Sequence, residues 1–539
     1  MEKTFYLSNF KAEKDTERFA LAMSALRDNP HSTLIVEPGV YTITSDLARQ
    51  AQNAVMNGDY GENPQNVMFK PDYVYDRGIS FEGQVGTRMI ADGVIFEIDG
   101  FMQPVSLIDC EDVTVSGFTI RHKRKPYSKT VIRNIGEPDE NGTAKCDLVF
   151  DDDCPINEKT PLGLRDAVVD PVTGEASYWA VRNVEYVSHH LCRAELVYSG
   201  RFKDGFEYYT VHTMHGRPSV LIERAKNIVL ENVTINNHPG MGIVGNRSEN
   251  ILIRNLHVVP VEGDHFSTNT DATHFTSITG TLRLENCVSE YHGDDFTNVH
   301  AYYQTIIRRE DDNTVFLQEK TPDGTHAQTL DYPDVGDTLE MTDKDTMEVL
   351  DTFCVTACER FDAEWMCKAT LDHALPENTD NLLLADITRL PRLEVVGCRT
   401  KNHFGRAVLA KCRSGLIENN IFDTSQGPAV KLGAESYWHE GVCPAHFVVR
   451  GNRMINCGRY FGTASAISII ADAPRATGQT IFDITIENNE ITANEKYGIY
   501  ARNVKGLKIR NNIFKTKDEA VKLEYCTDVD TDQTKKGLV

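Results

Sequence analysis

Eight times along the chain, a short run of alternating apolar residues ends in Asn or Gly. The runs are Ile228-Val-Leu-Glu-Asn232, Ile251-Leu-Ile-Arg-Asn255, Leu282-Arg-Leu-Glu-Asn286, Leu393-Glu-Val-Val-Gly397, Leu416-Ile-Glu-Asn419, Phe447-Val-Val-Arg-Gly451, Ile484-Thr-Ile-Glu-Asn488 and Leu507-Lys-Ile-Arg-Asn511. Alternation with period two is the pattern of a strand with one buried face. The closing Asn or Gly suits a turn with left-handed backbone. The interval between closing residues is 23 from Asn232 to Asn255, 22 from Gly397 to Asn419 and 23 from Asn488 to Asn511; apart from the long gap between Asn286 and Gly397, it is elsewhere 31, 32 or 37. An interval of 22–24 residues with three short strands is one coil of a parallel β-helix, and the longer intervals are coils carrying a surface loop. Asn420, Asn452, Asn489 and Asn512 each follow a closing residue and fall in one column. Four amides in register read as an asparagine ladder running along the axis. Asn-rich turns in a β-sandwich would supply the strands but not the column. The expected fold is all-β: a right-handed parallel β-helix.

Both ends and two interruptions complete this organisation. Asp15–Asn29 has apolar residues at helical spacing behind an Asp placed to cap it, and reads as an N-terminal helix covering the open end of the coil stack. Residues 123–215 and 302–390 break the period with Gly-, Pro- and Asp-rich turns between short β-like runs. Unstructured loops of that length are implausible in a compact domain, so these are read as two small inserted β domains, barrel-like. The resulting division is 1–122 for the cap and first coils, 123–215 for the first insertion and 216–301 for the coils with the acidic cluster. The second insertion is 302–390, the last coils 391–526 and the polar, frayed tail 527–539.

Composition narrows the partners. There are 79 acidic and 56 basic residues, a formal charge of −23. A phosphate-gripping surface is basic, so nucleic acid is not an expected partner, and a neutral substrate fits best. No apolar run is long enough to span a membrane. Met1–Phe10 lacks a basic region followed by an apolar core, so the chain as it stands reads as cytoplasmic; a leader removed beforehand would make it secreted or periplasmic. The 13 cysteines, scattered without a CxxC pair, read as mostly reduced buried thiols, with a disulfide framework as the alternative.

The densest chemistry lies between Asn269 and His300. It comprises Asn269-Thr-Asp271-Ala-Thr-His274-Phe275 and Gly293-Asp294-Asp295-Phe-Thr-Asn298-Val-His300. Asp271 and Asp294 are 23 residues apart, one coil, so three carboxylates gather on neighbouring coils. Gly293 suggests a bend that turns both Asp294 and Asp295 to one side. Glycoside hydrolysis needs one protonated carboxyl for the leaving oxygen and one ionised carboxylate to activate water or attack the sugar. Crowded carboxylates raise at least one pKa. Two bland readings stand beside this: Asp-Asp pairs cap turns, and the Asp and His residues could ligate zinc or calcium. The absence of an HxH or HxxxH pair disfavours the metal reading, so no metal or cofactor is expected. His238, in Asn237-His-Pro-Gly240, precedes the aspartates by a coil; Arg406 and the pair Trp438 and Glu440 follow the second insertion. An aromatic that stacks on a sugar, with Arg and Glu for its hydroxyls, suits a monosaccharide pocket.

The spacing of Asn-Thr-Asp271 and Gly-Asp294-Asp295 resembles the polygalacturonase-like β-helix hydrolases. The fuller pattern, with His274, Asn298 and His300, resembles glycoside hydrolase family 110, the exo-acting α-1,3-galactosidases. So does the segment Gln52-Asn-Ala-Val-Met-Asn-Gly58-Asp-Tyr-Gly61-Glu-Asn-Pro64. The resemblance implies an inverting hydrolysis of terminal α-1,3-linked galactose on blood-group-B-type or linear α-galactosyl glycans. It implies Asp294 as general acid, with Asp271 and Asp295 positioning and deprotonating the water. His274, Asn298, His300, His238, Arg406, Trp438 and Glu440 are the expected sugar-binding residues. Ala301 stands where the family pattern has Gly, and the Trp438–Glu440 spacing is shortened, which bears on subsite specificity. Two alternatives remain: a β-helix hydrolase or lyase acting on an acidic polysaccharide, and a non-catalytic glycan-binding β-helix. The expected partner is a glycan ending in α-galactose; a homodimer is compatible with the sequence but not required by it.

Overall fold

The computed structural model describes residues 3–319, 330–459, 462–493, 496–516 and 519–532. Parallel strands stack in three columns, forming the expected β-helix. The recurring runs occupy one column, in which Ile228 pairs with Ile251, Ile251 with Leu282, and Leu282 with Leu393. Farther along, Phe447 pairs with Ile484 and Ile484 with Leu507. These residues point inward and are fully buried, as are Leu230, Ile253, Leu284, Val395, Val449, Ile486 and Ile509 two positions on. Each such side chain contributes about 1.5–3 kcal/mol by leaving water, an upper figure because unfolded chains already bury some of it. All six closing Asn residues have φ between 52° and 57°, and Gly397 and Gly451 have 69° and 65°. That left-handed backbone, which Asn and Gly tolerate best, turns the chain from the first column into the second.

The residue after the turn points into the stack and forms the ladder. Asn452 Oδ1 accepts from the backbone N–H and Nδ2 of Asn420 at 3.0 and 2.9 Å. Asn489 does the same for Asn452, and Asn512 for Asn489. The second hydrogen of each Nδ2 goes to a backbone carbonyl, such as that of Ile417 for Asn452 at 2.9 Å. Toward the N-terminus the column continues as Cys398 and Cys287, both buried, with the Cys398 N–H given to Asn420 Oδ1 at 2.8 Å. All thirteen cysteines are unpaired.

Helix Asp15–Arg27 covers the first coil with Phe19, Ala22, Met23 and Leu26, and Phe19 meets Phe96 edge to face at 5.3 Å. Asp15 is not its cap. Lys14 holds the N-cap position, and Asp15 instead accepts from the Thr42 N–H at 2.9 Å, tying the helix to strand Gly39–Thr44. At the other end, the segment read as a frayed tail begins with strand Thr527–Thr531, paired with Val504–Arg510 as one further coil. Alternation in Thr-Asp-Val-Asp-Thr was masked by its polarity. The remainder of that tail, from 533 onward, lies outside the described residues.

The first insertion is a seven-stranded antiparallel sheet between Tyr127–Arg133 and Glu207–Val211. One face encloses its own core of Ile132, Leu148, Cys192 and Tyr208. The other lays Tyr127, Tyr209 and Val211 on Phe266 and Tyr291 of the β-helix. The second insertion leaves the helix within a single strand, Thr297–Arg309, which begins as a coil strand and ends in a barrel. That barrel closes through Thr314–Gln318, Met366–Leu371, Val349–Phe361, Thr338–Asp343 and Leu382–Asp386 back to the same strand. Arg413, with Nη2 2.6 Å from both carboxylate oxygens of Glu340, fastens the barrel to the coil behind it. Among the described residues, no helix is long and apolar enough to cross a membrane.

Candidate active site

The site stands on the third column, where strands Ile243–Asn246, Thr273–Thr276, Thr297–Arg309 and Val408–Ala410 pair in parallel. Thr273 pairs with Thr297, so Asp271 lies one coil below Asp295, 24 residues away. The 23-residue spacing to Asp294 is therefore off by one, because the chain bends before Thr297 and shifts the register by one residue. Two glycines permit this crowding. A Cβ on Gly293 would overlap the Asn269 carbonyl, and one on Gly405 would overlap the backbone and carboxylate of the two aspartates. One oxygen from each of Asp271, Asp294 and Asp295 lies within 4.8 Å of the others. Asp271 and Asp295 form the floor, with side chains 7% and 3% exposed, whereas Asp294 is 25% exposed at the mouth.

Each carboxylate has a different nitrogen partner. Arg165, from the first insertion, reaches Asp294 Oδ2 with Nη1 at 2.8 Å and also donates to the Gly293 carbonyl. Asp271 Oδ2 lies 2.6 Å from His274 Nδ1. Asp295 Oδ1 accepts the Arg406 backbone N–H at 2.6 Å and faces its Nε at 3.1 Å. Burial pushes the Asp271 carboxyl above the usual range, with the His274 hydrogen bond opposing it. Burial, together with the charges of Asp294 and Asp271, drives Asp295 well above that range against the pull of Arg406. The Arg406 cation is disfavoured by burial, but Asp295, Glu435, Asp294 and Glu440 outweigh this and hold it above the ordinary arginine range. Such crowding makes protonation a property of the cluster rather than of one residue.

A second charged layer adjoins the first. Lys411, fully buried, touches Glu435 at 3.0 Å, Glu440 at 2.5 Å and Asn298 Oδ1 at 3.1 Å. Burial opposes its charge, and the two glutamates more than restore it. Burial likewise raises Glu435, but Lys411, Lys431 and Arg406 leave it below the usual carboxylate range. Asn298 Nδ2 donates to Glu440 at 3.2 Å, and His300 Nε2 lies 2.9 Å from His274 Nε2. Removing one partner of such a buried network strands the others' charges.

Of the expected sugar-binding residues, His274, Asn298, His300, Arg406 and Glu440 converge on this network. Trp438, 43% exposed, packs against Tyr437 on a loop that Ser436 Oγ ties to the Lys344 carbonyl of the second insertion at 2.7 Å. His238 does not belong. It is fully buried, with Nε2 2.6 Å from the Arg217 carbonyl and Nδ1 3.0 Å from His122, so neither ring nitrogen is left for a sugar. Three residues escaped the sequence reading. Lys411 carried a signal, a charge between the apolar run Ala407-Val-Leu-Ala410 and Cys412, whereas Arg165 and Glu435 carried none.

The three aspartates are the one group of converging His, Cys, Asp and Glu side chains among the described residues whose geometry could hold a metal ion. Arg165 and Arg406 already place guanidinium groups against two of them. A divalent ion would have to displace or repel both, which makes this donor set a poor cation site.

A family profile described as "Right handed beta helix region" matches residues 392–533. The chain is 26% identical to "Alpha-1,3-galactosidase B" of Parabacteroides distasonis, over 93% of this chain and 85% of that one. It is 25% identical to "Alpha-1,3-galactosidase B" of Phocaeicola vulgatus, over 90% and 84% of the two chains. It is also 25% identical to "Alpha-1,3-galactosidase A" of Shewanella woodyi, over 92% and 83%. Among solved structures, the polygalacturonase from Erwinia carotovora ssp. carotovora aligns with a TM-score of 0.45 at 9% identity, covering 98% of this chain and 96% of that one. By sequence, then, the chain is similar over most of its length to curated α-1,3-galactosidases, and its last coils match the right-handed β-helix.

Proposed function

We propose that this chain is a glycoside hydrolase that removes terminal α-1,3-linked galactose from glycans of blood-group-B or linear α-galactosyl type, without a metal or cofactor. The observation that carries the proposal is the convergence of Asp271, Asp294 and Asp295 within 4.8 Å in a chain similar to α-1,3-galactosidases over nine-tenths of its length. Asp294 is assigned the proton donor because it alone of the three has substantial exposed surface at the mouth. Asp271 and Asp295, on the floor, hold and deprotonate the attacking water. Arg406 and Glu440 are assigned to galactose hydroxyls, and Trp438 to stacking on the sugar.

The stereochemical outcome has two readings. The family resemblance supports inversion. The short spacing of the oxygens favours the second reading, retention through a glycosyl-enzyme, because separated carboxyls at roughly 6.5–9.5 Å are usual for inversion and about 5 Å for retention. Inversion here requires the water to sit beside the acid, against the two floor aspartates, rather than in a wide gap. A lyase on uronates is disfavoured because Arg165 and Arg406 are already engaged by aspartates.

Asp294→Asn separates an enzyme from a glycan-binding module. It should lower kcat on galactose-α-1,3-galactose by about 10²–10⁴-fold while disaccharide binding, read by calorimetry, stays within a fewfold. A wild-type chain that binds the disaccharide but releases no galactose sinks the enzymatic reading.

A further inference from the structure

The first insertion reaches Asp294 through Arg165. Arg165 lies 2.8 Å away, and its guanidinium carbon is 4.9 Å from the centre of the Phe404 ring. Phe404 is fixed on the coil next to Asp294, since the Gly405 N–H donates to the Asp294 carbonyl at 2.9 Å. Trp179 packs on Phe404 from the outside, ring centres 4.6 Å apart and planes at 59°. Neighbouring Tyr178 also meets Phe404, at 5.2 Å, and donates its hydroxyl to the Asn402 carbonyl at 3.1 Å.

Trp179 is held in place yet left in water. Its backbone has φ of 55°, an uncommon conformation for a bulky residue, and its N–H is given to Asp166 Oδ1 at 3.0 Å. The residue remains 55% exposed. An indole fixed by a strained backbone, half solvated and three contacts from a catalytic carboxylate, is surface built to meet something apolar-faced. Geometry says what. A proton donor delivers to the glycosidic oxygen, and the terminal galactose must lie over the floor aspartates and their water. The sugar on the other side of that oxygen then extends past Arg165 and Phe404, toward Trp179.

We propose that Trp179 is the platform on which the leaving-group sugar stacks, so that the inserted domain rather than the β-helix reads what lies beyond the scissile bond. The proposal rests on the galactosidase reading and adds a specificity-determining residue to it. The ligand is the C–H face of a hexopyranose, which an indole covers while the sugar's hydroxyls stay in water.

Two substrates that share the galactosyl group test it. Galactose-α-1,3-galactose has a leaving sugar; α-galactosyl fluoride has none. Trp179→Ala should lower kcat/KM on the disaccharide about tenfold and leave that on the fluoride within about twofold. Trp179→Phe, which keeps a ring, should recover most of the loss. Equal losses on both substrates in both variants, or no loss on the disaccharide, overturn the platform while the galactosidase reading stands. A wild-type chain that cleaves neither substrate overturns the galactosidase reading, and the platform with it.

Discussion

His274 and His300 face each other nitrogen to nitrogen, with their Nε2 atoms 2.9 Å apart. One of the two must supply the hydrogen. His300 Nδ1 lies 3.0 Å from the Ala301 carbonyl, which only accepts, so the His300 hydrogen sits there. Burial lowers the His300 pKa to about 3, so the ring is neutral and its Nε2 is a bare lone pair. The hydrogen between the rings therefore belongs to His274. Its other nitrogen, Nδ1, stands 2.6 Å from Asp271 Oδ2. His300, anchored on the backbone, thus fixes how His274 presents itself to Asp271.

From this chain of contacts, His300→Ala should lower kcat about 10–100-fold through misalignment of Asp271, with little change in KM. His300→Gln, which can still accept at similar reach, should recover part of the rate. Steady-state kinetics on the disaccharide checks this, and a rise in KM with kcat unchanged would instead make His300 a sugar-binding residue.

Arg406 governs the pH dependence of the floor. Burial and the two neighbouring aspartates raise Asp295, and Arg406 pulls it down. As a base Asp295 must be ionised, so kcat/KM rises as pH climbs through its titration. Arg406→Gln removes the cation while leaving the backbone N–H on Asp295. Asp295 then keeps its proton to higher pH, and the acidic limb of the kcat/KM profile should move upward by about one pH unit or more. A downward move or an unmoved limb would contradict the role given to Asp295.

The asparagine ladder should be a stability element remote from the chemistry. Asn452→Ala strands the buried N–H and Nδ2 of Asn420, which both donate to Asn452 Oδ1. The loss should be about 2–4 kcal/mol, read as a lowered urea midpoint for the last coils, with galactose release at low temperature unchanged. A loss below about 0.5 kcal/mol would mean that the column adds nothing beyond turn propensity.

What was legible in the sequence was local or strictly periodic. A coil repeats its own pattern, so eight runs and an Asn column disclose the β-helix without any knowledge of distant contacts. The acidic cluster was legible for the same reason, because Asp271 and Asp295 belong to adjacent coils. Its register was misread by one residue because a bend before Thr297 does not follow strand alternation. Arg165 was invisible: its insertion has no repeat to set its place, and it meets Asp294 across 129 residues. His238 looked like Asn298 or His300 in the sequence, yet its ring turns into the stack toward His122. Periodicity finds the coil but does not say on which side of the wall a residue beside a turn will fall.

The central claim is tested most directly by following galactose-α-1,3-galactose hydrolysis by proton NMR, with and without a chelator. β-Galactose appearing first and mutarotating later, at a rate the chelator does not change, is the predicted result: Asp294 protonates the leaving oxygen while the floor aspartates deliver water from the opposite face. α-Galactose appearing first would mean retention through a carboxylate nucleophile and would contradict the roles given to the floor aspartates. Activity abolished by the chelator would contradict a metal-free site, and no galactose at all would contradict the account as a whole.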